Sequence, residues 1–195
     1  NGVCFVCGAA NPIASTVTAA TVDDLVSAAA SGGEGIKVAE VTGKTEEEVV
    51  AMIKEAAANG TLTTKNEVVE ITEANVPAED KQSISTEIGK IESGTITLGN
   101  TTLDVENVEV KQYLDLSVML VASGTNVGSI TATGEAVEFK IPLDSGLLAD
   151  LTGKVVFVLR IHDDEVDVLP AALENGILIF TTNKFSTYAI VAADP

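Results

Sequence analysis

Tyr113-Leu114-Asp115-Leu116-Ser117-Val118-Met119-Leu120 is the stretch that decides the fold of this chain. Leu114, Leu116, Val118 and Leu120 take every second position, and Tyr113, Asp115, Ser117 and Met119 fall between them. A period of two belongs to an extended strand, whose successive side chains point to opposite faces, so one set faces a core and the other mostly solvent. The rhythm recurs downstream. Val137, Phe139, Ile141 and Leu143 form one strand face, and Val155, Phe157, Leu159 and Ile161 form another. Asn175-Gly176 ahead of Ile177 to Phe180 has the composition of a type I′ hairpin turn, in which both central residues need positive φ. A last strand is expected over 185–191.

Upstream, Val68, Val69 and Ile71 suggest a strand, and Ile96, Leu98, Leu103 and Val105 flank Gly99-Asn100 as a hairpin. Helical signals lie between and before these. Thr21 as N-cap, Leu25, Val26 and the closing Gly32-Gly33 predict a short helix over 21–30. Thr45 and Glu48 match a capping box, and Val49, Ile53, Ala56 and Ala57 make one apolar stripe that ends at Gly60. Pro77 is placed to begin a third helix running to Ile88, with Ile84 and Ile88 on one face. Short strands separated by glycine or Asx turns are the pattern of a β-sandwich. The expected organisation is a flexible linker over 1–12, a small helical or α+β portion over 13–60, and an immunoglobulin-like β-sandwich over 61–195 with the third helix inserted between strands.

Composition bounds the function. The chain has 195 residues, 46% of them apolar, enough for one good core or two small ones. Its formal net charge of -18, with ten lysines and the single arginine Arg160, opposes binding to nucleic acid or anionic lipid, which is carried by basic patches. No apolar run is long enough to span a membrane, and Asn1-Gly2-Val3-Cys4 does not resemble the charged start of a signal peptide.

Three blocks then arrive in a familiar order: Tyr113-Leu114-Asp115-Leu116-Ser117, Phe157-Val158-Leu159-Arg160-Ile161-His162-Asp163 and Lys184-Phe185-Ser186-Thr187-Tyr188-Ala189. Together with Ile141-Pro142-Leu143 and the helix over 46–58, they resemble a C-terminal module of large surface proteins of Gram-positive anaerobes. The resemblance implies an extracellular, cell-surface or cell-wall location, an immunoglobulin-like sandwich, and neighbouring domains of the same parent chain as partners. It supplies no ligand and no catalytic set. The opening Cys4-Phe5-Val6-Cys7-Gly8 is similar to a small CxxCG linker element of such proteins, though without the histidine that often precedes it.

Several residues invite chemistry and are weighed against plainer roles. Cys4 and Cys7 have the spacing of half a tetrahedral zinc site or of a redox pair, but zinc wants four ligands, and a flexible end is the simpler expectation. His162 is the only histidine and stands beside Asp163, Asp164, Glu165 and Asp167. Alternating carboxylates in a loop suggest calcium, and Ser186 or Thr187 near His162 would suggest a hydrolase; a solvated turn is the simpler expectation for both, because no nucleophile elbow frames the serine. Gly32-Gly33-Glu34-Gly35 lacks the lysine of a phosphate loop. Tyr113, at the parity opposite its strand's leucines, is a candidate glycan contact, while Tyr188 reads as a core or corner residue bonded to backbone. Lys140 and Asn183 are candidates for an isopeptide cross-link by being on strands, although Lys140 has polar-face parity. The expectation is a non-enzymatic spacer or adhesion module without a cofactor, with host or plant glycans or surface proteins as possible partners, and with a glycan-binding module and a calcium- or zinc-stabilised domain as its rivals.

Overall fold

The computed structural model describes residues 12–13, 36–91 and 94–195. Its strands are β1 (Pro12–Ile13), β2 (Ile36–Val38), β3 (Thr63–Ile71), β4 (Thr95–Leu98), β5 (Thr101–Asp104), β6 (Glu106–Ala122), β7 (Thr125–Ile130), β8 (Ala132–Pro142), β9 (Val155–His162), β10 (Glu165–Glu174), β11 (Ile177–Lys184) and β12 (Thr187–Asp194). Three α-helices accompany them among the described residues: α1 (Glu46–Ala58), α2 (Ala78–Ile91) and α3 (Ser145–Leu151). The helix expected over 21–30 lies outside the described residues.

The main sheet runs β1-β3-β6-β12-β9-β10-β11-β8, with β7 also on β6 and β2 on β7, every pairing antiparallel. It folds over on itself through β10. Glu165 to Pro170 pair with β9, and Ala171 to Glu174 pair with β11. Proline has no amide hydrogen to give a ladder, and Pro170 sits where the strand changes partner. The result is a sandwich-like, nearly closed barrel.

The inward face is the leucine face of β6. Leu114, Leu116, Val118 and Leu120 are buried with Val68, Val137, Phe139, Ile141, Val158, Leu178, Phe180, Tyr188 and Ile190. Val49, Ile53 and Ala56 of α1 and Leu147 and Leu151 of α3 enter the same core. The capping box of α1 forms as expected: Thr45 N donates to Glu48 at 2.8 Å, and Glu48 N donates to Thr45 Oγ1 at 3.3 Å.

The opposite face of β9 and β12 is covered as well. Phe157, Leu159, Ile161, Ala189 and Val191 pack with Ile84 and Ile91 of α2 and with Ile96 of the β4–β5 hairpin. Burial from both sides explains why Val155–Ile161 and Tyr188–Ala193 are nearly continuous apolar runs. The helix expected from Pro77 to Ile88 continues to Ile91, whose side chain is buried, and the carbonyl of Pro77 accepts from Lys81 N at 3.0 Å. The last strand begins at Thr187 rather than Phe185, whose ring instead meets Phe139 edge-on at 5.8 Å.

Candidate functional site

Two short connections meet at one end of the sandwich and gather most of the polar residues singled out above. Asp163 and Asp164, at φ 50 and 63, form the two-residue turn between β9 and β10, where His162 pairs with Glu165. Asx residues tolerate this left-handed region better than most, which suits a type I′ turn. Register then puts Thr187 of β12 opposite Ile161, so the β11–β12 connection lies beside His162.

His162 and Ser186 are thereby brought together, with Nδ1 and Oγ 3.3 Å apart, and Nε2 lies 3.4 Å from a carboxylate oxygen of Asp163. The three side chains have the composition of a hydrolase triad but not its proton arrangement. Ser186 Oγ donates to the carbonyl of Ile161. A hydroxyl has one hydrogen, so the imidazole must donate to Ser186 rather than take its proton, the reverse of what activates a nucleophile. Asp163 is 90% exposed and orients the ring little.

Deeper in, Arg160 lies at the parity of Val158 and points into the sandwich. Its Nη1 donates to Thr182 Oγ1 at 3.0 Å and to Asn183 Oδ1 at 2.9 Å, and Nη2 pairs with Asp167 at 2.7 Å, while the buried Nε has no partner. Thr182 Oγ1 lies 2.8 Å from Tyr188 Oη, which donates to the carbonyl of Lys184. Burial pushes the Tyr188 phenol far above its usual range, against smaller opposing effects of Thr182 and Arg160. Tyr188, expected as a core or corner residue, is buried in the core and bonded to backbone. The network ties β9 to β11 where the two layers converge.

The acidic run does not converge on a point. Asp163 faces His162, Asp167 is held by Arg160, and Glu165 reaches Lys184 at 4.0 Å. Asp164 turns instead toward α2, where a groove of about 250 Å³ lies between Asp164 and Val166 on one side and Gln82, Ser83, Thr86, Glu87 and Lys90 on the other. Among the described residues no group of three or more His, Cys, Asp or Glu side chains is placed to hold a metal ion. Cys4 and Cys7 lie outside the described residues.

Tyr113 is half-buried rather than freely exposed. It lies opposite the leucine face as its parity demands, but α2 and its connection cover that side, and the ring packs against the second core. Burial raises its phenol above the usual value, with the charge of Glu73 adding to the effect. Lys140 pairs in register with Ile179 and lies 3.3 Å from Glu138, whereas the side-chain oxygen of Asn183 accepts from Arg160, so the geometry does not join Lys140 to Asn183.

Sequence reasoning missed the Arg160 network. The signal was available: a lone arginine at the inward parity of an otherwise apolar strand must find acceptors inside. Among the described residues no helix is long and apolar enough to cross a membrane. Comparisons of this chain with family models, with curated proteins and with solved structures give no match.

Proposed function

We propose that this chain is a non-enzymatic, extracellular module of a bacterial cell-surface protein, an immunoglobulin-like sandwich that serves as a spacer or adhesion domain. One observation carries the reading: the side chains best suited to chemistry are committed to one another. The Ser186 proton rests on a backbone carbonyl, and Asp163, Glu165 and Asp167 each face a partner on their own or an adjoining strand. The corner tyrosine that bonds backbone four residues upstream favours the immunoglobulin-like assignment. The acidic exterior favours a soluble module that keeps its neighbours apart.

A glycan-binding role is the second reading, favoured by the groove beside Asp164, whose other wall is lined by the polar residues Gln82, Ser83, Thr86, Glu87 and Lys90. The two are separated by screening the folded chain against glycans, mucin and matrix proteins, with and without calcium. The spacer reading expects no saturable binding. Binding abolished by Asp164→Ala in a variant that still folds establishes the second reading instead, and covalent labelling of Ser186 by a fluorophosphonate would overturn the non-enzymatic reading.

A further inference from the structure

We infer that β3, β6 and β12 form a tension path through the module, loaded in shear when the chain is pulled from Thr61 and from its C-terminal end. The inference rests on the spacer reading for its use and on strand register for its geometry. Among the described residues β6 is the longest strand; β3 holds one edge, and the other edge is shared by β12 and, beyond it, β7. Thr63–Ile71 pair with Val121–Tyr113 along its far half, whereas Thr187–Asp194 pair with Asp115–Glu106 along its near half. β3 therefore enters at one end of β6, and β12 leaves at the other. The two ends of β6 are separated by about 50 Å at about 3.3 Å per residue.

Tension between these points runs along the strands. Antiparallel hydrogen bonds lie across the strand axis, so such a pull strains a whole ladder together rather than one bond after another. β12 is also held on both edges, by β6 and by β9 from Val155 to Ile161, and Tyr188–Ala193 are buried on both faces. Its ends are fastened independently. Leu116 N donates to Ser186 O at 2.9 Å at the start, while at the finish Asp194 accepts from Lys154 at 2.5 Å and from Asn107 at 2.9 Å. Those two partners stand at the beginnings of β9 and β6, the strands on either side.

The same protein contains a peeling geometry for comparison. Thr152 and Pro195 flank the adjoining ends of β9 and β12, where Ala193 pairs with Val155, so pulling on them opens that ladder one pair at a time. The test is single-molecule force spectroscopy on the full chain with Cys4→Ser and Cys7→Ser, handles being attached through Pro195→Cys with either Thr61→Cys or Thr152→Cys. All three handle positions are exposed, and each variant is first shown by circular dichroism and melting to fold like the parent. The Thr61 pair is expected to rupture at a force several times that of the Thr152 pair at the same loading rate. Equal forces, or a weaker Thr61 pair, overturn the tension path while leaving the spacer reading intact. Ligand binding in the screen above would overturn the spacer reading without altering the force ratio.

Discussion

Removing Asp167 should damage this protein more than removing Arg160, although Asp167 is the more exposed partner of the pair. The Arg160 side chain is 9% exposed and that of Asp167 is 42% exposed. Asp167→Ala leaves a guanidinium inside the sandwich with only the neutral oxygens of Thr182 and Asn183 as acceptors and Nε still unpaired, a loss of about 3 kcal/mol by the measure of broken buried ion pairs. Arg160→Met removes the charge along with its desolvation and keeps most of the volume. Asp167 is then solvated, and the remaining loss is the bonds to Thr182 and Asn183, about 1–2 kcal/mol. The assay is urea unfolding. With an m-value near the top of the usual range, about 3 kcal/mol moves the midpoint by about 1 M, and Arg160→Met should move it by about one third to two thirds as much. The double variant should be no less stable than Asp167→Ala, because the unpaired charge is gone. If Arg160→Met proves the more harmful substitution, or if the double variant loses the sum of both effects, the reasoning from desolvation is refuted.

Other expectations follow from particular contacts. Tyr188 has a phenol pKa raised by burial, so the folded state keeps its proton more tightly; this stability is complete below the unfolded value near pH 10 and is lost as pH rises beyond it. Unfolding of the parent chain should therefore steepen with alkaline pH, and Tyr188→Phe should lack that component while losing about 1 kcal/mol at neutral pH. Lys154 and Asn107 hold the Asp194 carboxyl below its usual range, so its contribution is present above the unfolded value and is lost as pH falls through the acid range; Lys154→Met should flatten that part of an acid titration followed by circular dichroism. A β-carbon at Gly128 would sit 2.7 Å from the carbonyl oxygen of Lys37, so Gly128→Ala should loosen β2 from β7 and raise hydrogen exchange at Ala39, whose amide bonds to Val127, with little change at Ala189 in the sheet centre.

Much of the local structure was legible because its causes are local. Alternation over 113–120 identified the strand and its buried face, Asn175-Gly176 adopts φ 51 and 80 as its turn type requires, and Thr45 with Glu48 caps the helix that their spacing announced. The hairpin across Gly99-Asn100 was legible for the same reason. The candidate site was legible only as residue types. His162 and Ser186 were noticed as a pair to consider, but their separation of one hydrogen bond, and the direction in which the serine proton points, depend on the register of β9 against β12.

The sequence by itself determined many of the strands, the helices beginning near residues 46 and 77, several turns, and which side chains of each share a face, since backbone sterics and a period of two or 3.6 act over a few residues, but α3, β7 and β10 were not read from it. It also determined the acidic surface and the lack of a basic patch. Only the tertiary structure decided which strands are neighbours, that β10 leaves one layer for the other at Pro170, that both faces of β9 and β12 are covered, and that the chain's one arginine lies inside with Thr182, Asn183 and Asp167. Those outcomes depend on burying several faces at once and on satisfying every polar group caught between them, a condition set jointly by residues far apart in the chain.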